Sequence, residues 1–183
     1  MKKVVLFVFA TVAPVFGAMG AGQTQDMMFG GEADVGYAGQ LWTAMEEARM
    51  VGANGLVATT HKGGNPPHTE TLISLQGNVT VDGVTGLAIV KKNFGGEGVN
   101  EEAIFADPNK FLRMITVMFQ RERGYDSDHQ DWFWAAFTPN GQVAINPQGM
   151  AMAGRVAKGM DTGCIACHDN APGGDYVFLH DAV

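Results

Sequence analysis

Both cysteines of this 183-residue chain stand close together near its C-terminus, and a histidine directly follows the second one. The run reads Cys164-Ile165-Ala166-Cys167-His168. A C-x-x-C-H run is the attachment signature of a c-type haem, in which the two thiols bond to the porphyrin and the histidine binds the iron. We therefore expect one covalently bound haem c, with Cys164 and Cys167 as its anchors and His168 as its metal ligand.

Two other uses of a close cysteine pair fit this sequence less well. A thioredoxin-like redox pair has to open a helix within a β-α-β unit, and the 15 residues that follow His168 are too few for the returning helix and strand. A zinc site needs a complete tetrahedral set of ligands. The other histidines lack that spacing, and we expect them to be surface or internally hydrogen-bonded residues rather than a second iron ligand: His61, His68, His129 and His180.

The first 22 residues predict a secretory signal peptide. Lys2 and Lys3 form its positive end, residues 4–16 are apolar, and small residues at 17–22 mark the region where we expect cleavage. The alternative is an uncleaved membrane anchor, but the apolar run is shorter than the ~20 residues that span a bilayer. We therefore predict a periplasmic protein with no membrane attachment after cleavage, which suits haem c because its attachment takes place outside the bacterial cytoplasm.

The length of the chain predicts its domain organisation, and its charge limits the classes of partner that it can bind. Cleavage leaves roughly 160 residues, enough for one domain that buries about two-thirds of its unfolded surface. We predict a flexible lead-in at 23–36, which is rich in glycine and methionine, and a single haem domain at 37–183. The formal charge of −7 argues against nucleic acid or an anionic membrane as a partner, and it is compatible with a basic redox partner.

Hydrophobic spacing and turn residues predict one long helix followed by short strands. The helix is expected at 37–51, ended by Gly52 and Gly55. Asp82-Gly83 and Asn140-Gly141 are typical of hairpin turns. We expect strands at 71–75, 79–81, 86–91, 114–119, 131–137 and 143–145, loops at 61–68 and 93–107, a short helix at 150–160 and an extended tail at 175–179.

These elements predict an α+β, mainly β fold, in which an antiparallel sheet carries an N-terminal helix and a C-terminal haem-attachment helix. A four-helix cytochrome also has its haem motif near the C-terminus, but it needs long apolar-periodic helices. The 25 glycines and the strands bounded by turns exclude that bundle. A small electron-transfer cytochrome has its motif early and a ligating methionine downstream, whereas no methionine follows His168.

Several segments, taken in order, resemble the cytochrome P-460 family, whose members carry one haem c in a mainly β domain. The matching segments are Gly86–Lys91, Gly124-Tyr125, Asp131–Ala135, Gly163–His168 and Asp175–Phe178. The resemblance covers residues 86–178, which is over half of the chain after signal cleavage. The haem motif alone is generic, and the ordered combination is more specific.

The resemblance implies a five-coordinate haem with His168 as its proximal ligand and an open distal side. One branch of the family cross-links a lysine to the porphyrin and oxidises hydroxylamine, and Lys91 matches that lysine by position. A related type, cytochrome c-prime-beta, lacks the bond and binds nitric oxide or carbon monoxide. The resemblance thus implies a small nitrogen-oxide ligand or substrate, a soluble cytochrome as redox partner, and a possible homodimer.

Strand alternation gives Lys91 a position beside the haem. Leu87, Ile89 and Lys91 share one face of their strand, while Lys92 points to the other. If the Leu/Ile face packs inward, Lys91 faces the haem cavity and Lys92 faces water. A buried ammonium has to be paired or neutralised. The alternative is that Lys91 marks the end of the strand and is solvated like Lys92.

Other candidates for the open side of the haem carry weaker signals. Met114 and Met118 lie on a strand that is able to roof the haem, although methionines more often fill cores. Phe94, Phe119 and Phe133 are candidates for an apolar cap or for core packing, and Trp132 with Trp134 for the core beside the porphyrin. Glu122 is a candidate proton relay and Arg113 or Arg121 a ligand contact, with a polar surface as the alternative for all three.

Three functions therefore follow from the sequence. The first is a haem oxidoreductase that acts on hydroxylamine or a related small nitrogen oxide, with Lys91 as its catalytic lysine and haem contact. The second is a protein that binds nitric oxide or carbon monoxide without turnover. The third is an electron carrier with six-coordinate iron.

Overall fold

The computed structural model describes residues 29–69 and 71–178. The predicted signal peptide at 1–22 lies outside the described residues. Helix α1 spans Glu32–Glu47 and buries Tyr37, Ala38, Leu41 and Met45 along one side. It begins five residues earlier than predicted, because the carboxylates of Glu32 and Asp34 favour its first turn. Residues 32–36 are therefore helical, although the sequence predicted a flexible lead-in there.

Six antiparallel strands form one sheet, and their spatial order follows the chain. They are β1 His61–Lys62, β2 Thr71–Val81, β3 Val84–Phe94, β4 Leu112–Gln120, β5 Trp132–Phe137 and β6 Ala153–Gly154. Short helices lie beside the sheet: α2 Glu101–Ala106, α3 Pro108–Phe111, the 3-10 turn Ser127–His129, and α4 Cys164–His168. The predicted class, mainly β with an N-terminal and a C-terminal helix, is confirmed.

The hairpin between β2 and β3 forms where the sequence predicted it. Asp82 and Gly83 have φ values of 49° and 78°. These left-handed values match the twist of a two-residue hairpin. Val81 consequently pairs with Val84, and the two strand segments predicted at 71–75 and 79–81 form one continuous β2.

The chain between β5 and α4 departs from the prediction. Residues 143–145 form only isolated bridges, through Val143 and Ile145. The predicted helix at 150–160 is wrong, because β6 and a series of turns occupy these residues. Gly154, Ala157 and Gly159 have φ values of 97°, 65° and 71°, which a right-handed helix does not allow. The predicted loop at 93–107 contains α2, which begins where the Asn100 side chain accepts a hydrogen bond from the Ala103 N–H (2.9 Å).

Both faces of the central strands are buried. Since side chains alternate along a strand, β3 turns Ala88 and Val90 towards α1 and turns Leu87 and Ile89 towards the opposite layer. That opposite layer contains Ile165 of α4 and Tyr176 of the closing segment. The haem motif therefore packs on the sheet face that α1 leaves uncovered. Within residues 29–69 and 71–178, no helix is long and apolar enough to cross a membrane.

Candidate functional site

Helix α4 presents the two thiols and the imidazole on one side. Residues three and four apart share a helix face, so Cys164, Cys167 and His168 lie together while Ile165 packs into the protein. The helix begins after Gly163, whose φ of 128° favours glycine. A Cβ at that position would also overlap the Ala157 side chain. The local backbone thus fixes the direction in which the motif faces.

His168 is held in the orientation of a metal ligand. Its Nδ1 lies 2.6 Å from the backbone oxygen of Tyr176, and a carbonyl only accepts hydrogen bonds, so Nδ1 carries the hydrogen. The lone pair is therefore on Nε2. Burial lowers the pKa of His168 to about 4, against the hydrogen bond to the Tyr176 backbone, which raises it; any positive charge on Lys91 would lower it further. The ring is neutral at pH 7, as metal binding requires.

The segment after α4 holds the helix against the sheet. The backbone of Tyr176 accepts from His168, and the Tyr176 hydroxyl donates to the Asp169 carboxylate at 2.8 Å. The Trp132 indole N–H donates to the backbone oxygen of Asp175 at 3.3 Å. The rings of Trp134 and Phe178 lie 4.8 Å and 5.2 Å from that of His168. These contacts restrict the movement of the imidazole.

A cavity of about 420 Å³ lies between α4, the sheet and the loop before β2. This volume is in the range of cofactor and ligand sites. A second cavity of about 290 Å³ adjoins it on the side of residues 61–65. Four residues line both cavities: His68, Lys91, Cys167 and His168. Ile89, Met118, Trp134 and Cys164 line the larger one.

Lys91 points into this site, as strand alternation predicted. Its side chain is on the same face as Ile89, it lines both cavities, and the residue is only 8% exposed. The alternative of a solvated strand end is wrong. Burial lowers the pKa of Lys91, against a smaller opposing electrostatic effect of Cys167. No salt bridge among the described residues includes Lys91, so its surroundings favour the neutral amine.

The prediction that Lys92 faces water is wrong. Lys92 is 6% exposed, and its Nζ donates to the backbone oxygen of Leu56 at 2.7 Å. The reason is that the chain after α1 covers this face of β3 as well. Burial lowers the pKa of Lys92 to about 8.

The pKa of Lys92 predicts a pH dependence of stability. Between about pH 8 and the ordinary lysine pKa of 10.5, the unfolded chain binds a proton that the folded protein does not. Lys92 should therefore make the free energy of unfolding rise with pH across this window. Below the window, the folded protein bears the full cost of a buried, charged ammonium. In denaturant unfolding, the rise should be smaller for Lys92→Met than for the wild type, since the buried Lys91 contributes a rise of the same sign. A matched substitution of the exposed Lys110→Met should retain the full rise. Equal slopes for the wild type and Lys92→Met would contradict the shift.

Most of the weaker candidates for the open side lie elsewhere. Arg121 pairs with Glu122 at 2.9 Å and stacks on the rings of Tyr37 and Tyr125, away from the cavity. Arg113 lies beside Gly95 and Gly96. Of the two methionines on β4, Met118 lines the cavity and Met114 does not.

The prediction of an apolar cap of phenylalanines over the haem is wrong, and the alternative of core packing is right. The three side chains pack in clusters on the α1 side of the sheet: Phe94, Phe119 and Phe133. Trp132 and Trp134 do pack on the haem-motif side, as predicted.

The histidines fall into two groups. His61 is hydrogen-bonded to Ser74 at 2.8 Å and His129 to Asp126 at 3.0 Å, as expected for internally satisfied residues. His180 lies outside the described residues.

His68 differs from His61 and His129, because it lines both cavities and its ring centroid is 6.0 Å from that of His168. Burial lowers the pKa of His68 to about 4, with Lys91 and His168 adding to the effect. The sequence carried no signal for this contact, because one hundred residues separate the two histidines.

The residues around the larger cavity fit a haem c. Two thiols and a neutral imidazole line one wall, and these are the groups that such a cofactor needs from a protein. Trp134 also lines this cavity, and its buried indole N–H has no hydrogen-bond partner within the described part of the chain. A buried donor of this kind calls for an acceptor, and a cofactor with carboxylate groups supplies one.

Comparison with known proteins agrees with the geometry. A family model described as cytochrome P-460 matches residues 79–179. The match runs from the end of β2 through the haem motif to the closing segment, and it includes Lys91, Cys164, Cys167 and His168. No curated protein and no solved structure matches the chain.

Proposed function

Since the chain belongs to the haem-binding cytochrome P-460 family, we propose that it is a periplasmic c-type cytochrome that oxidises hydroxylamine or a related small nitrogen oxide. The observation that carries the proposal is that four side chains line one cavity: Lys91, Cys164, Cys167 and His168. A bound haem supplies an iron that accepts electrons from a small ligand and passes them on. The protein supplies attachment, orientation and a shaped cavity.

In this proposal, the residues of α4 hold the cofactor. Cys164 and Cys167 form the two thioethers, and His168 binds the iron through Nε2. The hydrogen bond from His168 Nδ1 to Tyr176 sets the tautomer and makes the imidazole a stronger donor to the metal. The rings of Trp134 and Phe178 keep the imidazole from turning away.

Lys91 is proposed to contact the edge of the haem and to bond to it covalently. The support is the burial of Lys91 beside Cys167 and His168, together with the lowered pKa that favours the nucleophilic amine. A nitrogen–carbon bond to the ring replaces one N–H and one C–H, so two electrons and two protons must pass to an oxidant of the peroxide class. The bond would alter the electronic properties of the haem, which is how the protein would tune its reaction.

Localisation and partners follow from the sequence. The predicted signal peptide at 1–22 supports the proposal of export to the periplasm, where a soluble cytochrome would accept the electrons. The formal charge of −7 supports a basic partner surface and argues against nucleic acid. A homodimer is proposed from the family resemblance.

A second candidate function is the binding of nitric oxide or carbon monoxide without turnover. Hydroxylamine releases protons when it is oxidised, so turnover needs a proton acceptor near the ligand. Among the described residues that line the larger cavity, Asp161 is the only carboxylate available for this role. Much of the remaining lining is apolar, including Ile89 and Met118, and an apolar pocket suits a diatomic gas.

One experiment separates the two candidates. The mature holoprotein is mixed with hydroxylamine and an artificial electron-accepting dye, and dye reduction is followed by absorbance. We expect reduction that depends on hydroxylamine and continues for many turnovers. A protein that binds nitric oxide or carbon monoxide but reduces no dye is the gas binder, and the proposed oxidation is then wrong.

A further inference from the structure

A third cavity lies on the α1 side of the sheet, away from the haem motif. Its volume is about 350 Å³, which is in the range of small-molecule sites. Three side chains that are direct neighbours on β2, β3 and β4 form its floor: Ile73, Lys92 and Ile115. The end of α1, the chain after it, α3 and the turn after β5 form its walls. None of the three floor residues lines either cavity beside the haem motif.

Lys92 brings an incompletely bonded cation to this floor. An ammonium has three N–H donors, and within residues 29–69 and 71–178 Lys92 Nζ has a single hydrogen-bond acceptor, the backbone oxygen of Leu56. None of the salt bridges formed by the described residues includes Lys92, although the residue is buried. Because the pKa of Lys92 is about 8, most molecules carry this charge at pH 7. A buried charge of this kind calls for a counter-ion.

The rest of the lining suits a molecule with one charged end and an apolar body. Phe94 and Leu112 add apolar surface, and Asn109 and Asn140 are exposed at the mouth. Among the described residues, the only other ionisable side chain that lines the cavity is Glu46 of α1; none comes from β2, β4, α3 or the turn after β5. Glu46 is exposed to water. Its repulsion of an anion is therefore screened.

We propose that this cavity binds a small organic carboxylate, whose charged group pairs with Lys92 and whose apolar part lies along the isoleucines of the floor. A carboxylate suits the floor better than phosphate or sulfate, because apolar neighbours would leave the further oxygens of those ions without hydrogen bonds. The site is independent of the proposed oxidation, since Lys91 and Lys92 point to opposite faces of β3.

Isothermal titration calorimetry of the mature holoprotein at pH 7 tests the proposal, with hexanoate as the probe. We expect hexanoate to bind with millimolar or higher affinity, and its neutral analogue hexanamide to bind at least about 10-fold more weakly, because hydrogen bonds between charged groups are stronger than neutral ones. Lys92→Met should lose this preference. Lys62→Met is the matched control, because it removes an exposed cation beside the haem-motif cavities, and it should keep the wild-type affinities.

The pH dependence of binding gives a reading that needs no variant of Lys92. Above the Lys92 pKa of about 8, the empty cavity loses its positive charge. The affinity of the wild type for hexanoate should therefore fall by about 10-fold per pH unit between pH 8 and pH 10, as the binding-competent fraction falls. The affinity for hexanamide should stay constant. Glu46→Gln should keep the same pH dependence, which excludes Glu46 as its source.

Two results would overturn the proposal. One is a wild type that does not bind hexanoate, or that binds hexanoate and hexanamide equally. The other is a preference for hexanoate that persists undiminished at pH 10 or in Lys92→Met, because the carboxylate would then bind at another place. The pH series decides the matter even if Lys92→Met does not fold. The proposed function fails separately, through the absence of hydroxylamine oxidation in the dye assay.

Discussion

Replacing Cys164 and Cys167 together with serine is expected to leave a polypeptide without thioether-bound haem. The chain has no other cysteine, and a serine hydroxyl is a much weaker nucleophile than a thiol. The loss should be complete, which makes this the largest effect that the structure predicts. Denaturing electrophoresis with haem detection and intact mass measurement both report it directly.

The single variants and one triple variant complete this test. Cys164→Ser and Cys167→Ser should each keep one thioether and a smaller yield of attached haem. Lys91 is a third potential anchor, so the double substitution is repeated with Lys91→Ala. Covalent haem that persists in the triple variant would contradict attachment through the cysteines.

Replacing Lys91 with alanine is expected to reduce hydroxylamine oxidation by about 100-fold or more, the size of effect that the loss of precise positioning in an active site produces. Lys91 is buried, lines the cavity with His168 and carries an amine whose pKa is lowered by burial. Lys91→Arg should be as inactive, because a guanidinium stays charged and cannot form the proposed bond. The dye assay gives the activity.

Mass and absorbance give an independent reading of the same residue. The mass of the denatured wild type should be that of the polypeptide plus haem less the two hydrogen atoms that the Lys91 cross-link removes. Its ferrous Soret band should lie well to the red of that of an ordinary haem c. Lys91→Ala should lose both properties. Lys92→Ala is the matched control, because Lys92 is the next residue on the opposite face of β3 and should keep both. Full activity of Lys91→Ala would contradict a catalytic role for the lysine.

The parts of the site that the sequence predicted depend on local rules. The attachment motif is contiguous, so its helix and the common side of Cys164, Cys167 and His168 follow from helical spacing. The direction of Lys91 follows from alternation along one strand. The Asp82-Gly83 turn fixed the register of β2 and β3, and through it the position of Lys91 relative to its neighbours.

The parts that were missed depend on contacts between distant segments. Lys92 was expected in water, because its burial comes from residues near Leu56, which the pattern of β3 does not contain. His68 was expected to be satisfied elsewhere, because only the fold brings its loop to His168. The segment around Gly154 was expected to be helical, because apolar spacing does not reveal the left-handed backbone that its neighbours adopt.

Covalent attachment of a single haem by the paired cysteines underlies the whole account. The most direct test is the intact mass and iron content of the purified, matured protein after denaturation. The account predicts one iron per chain and the mass of the polypeptide plus one haem, less the two hydrogen atoms that the proposed Lys91 cross-link would remove. A colourless chain with the mass of the polypeptide alone and no iron would contradict it.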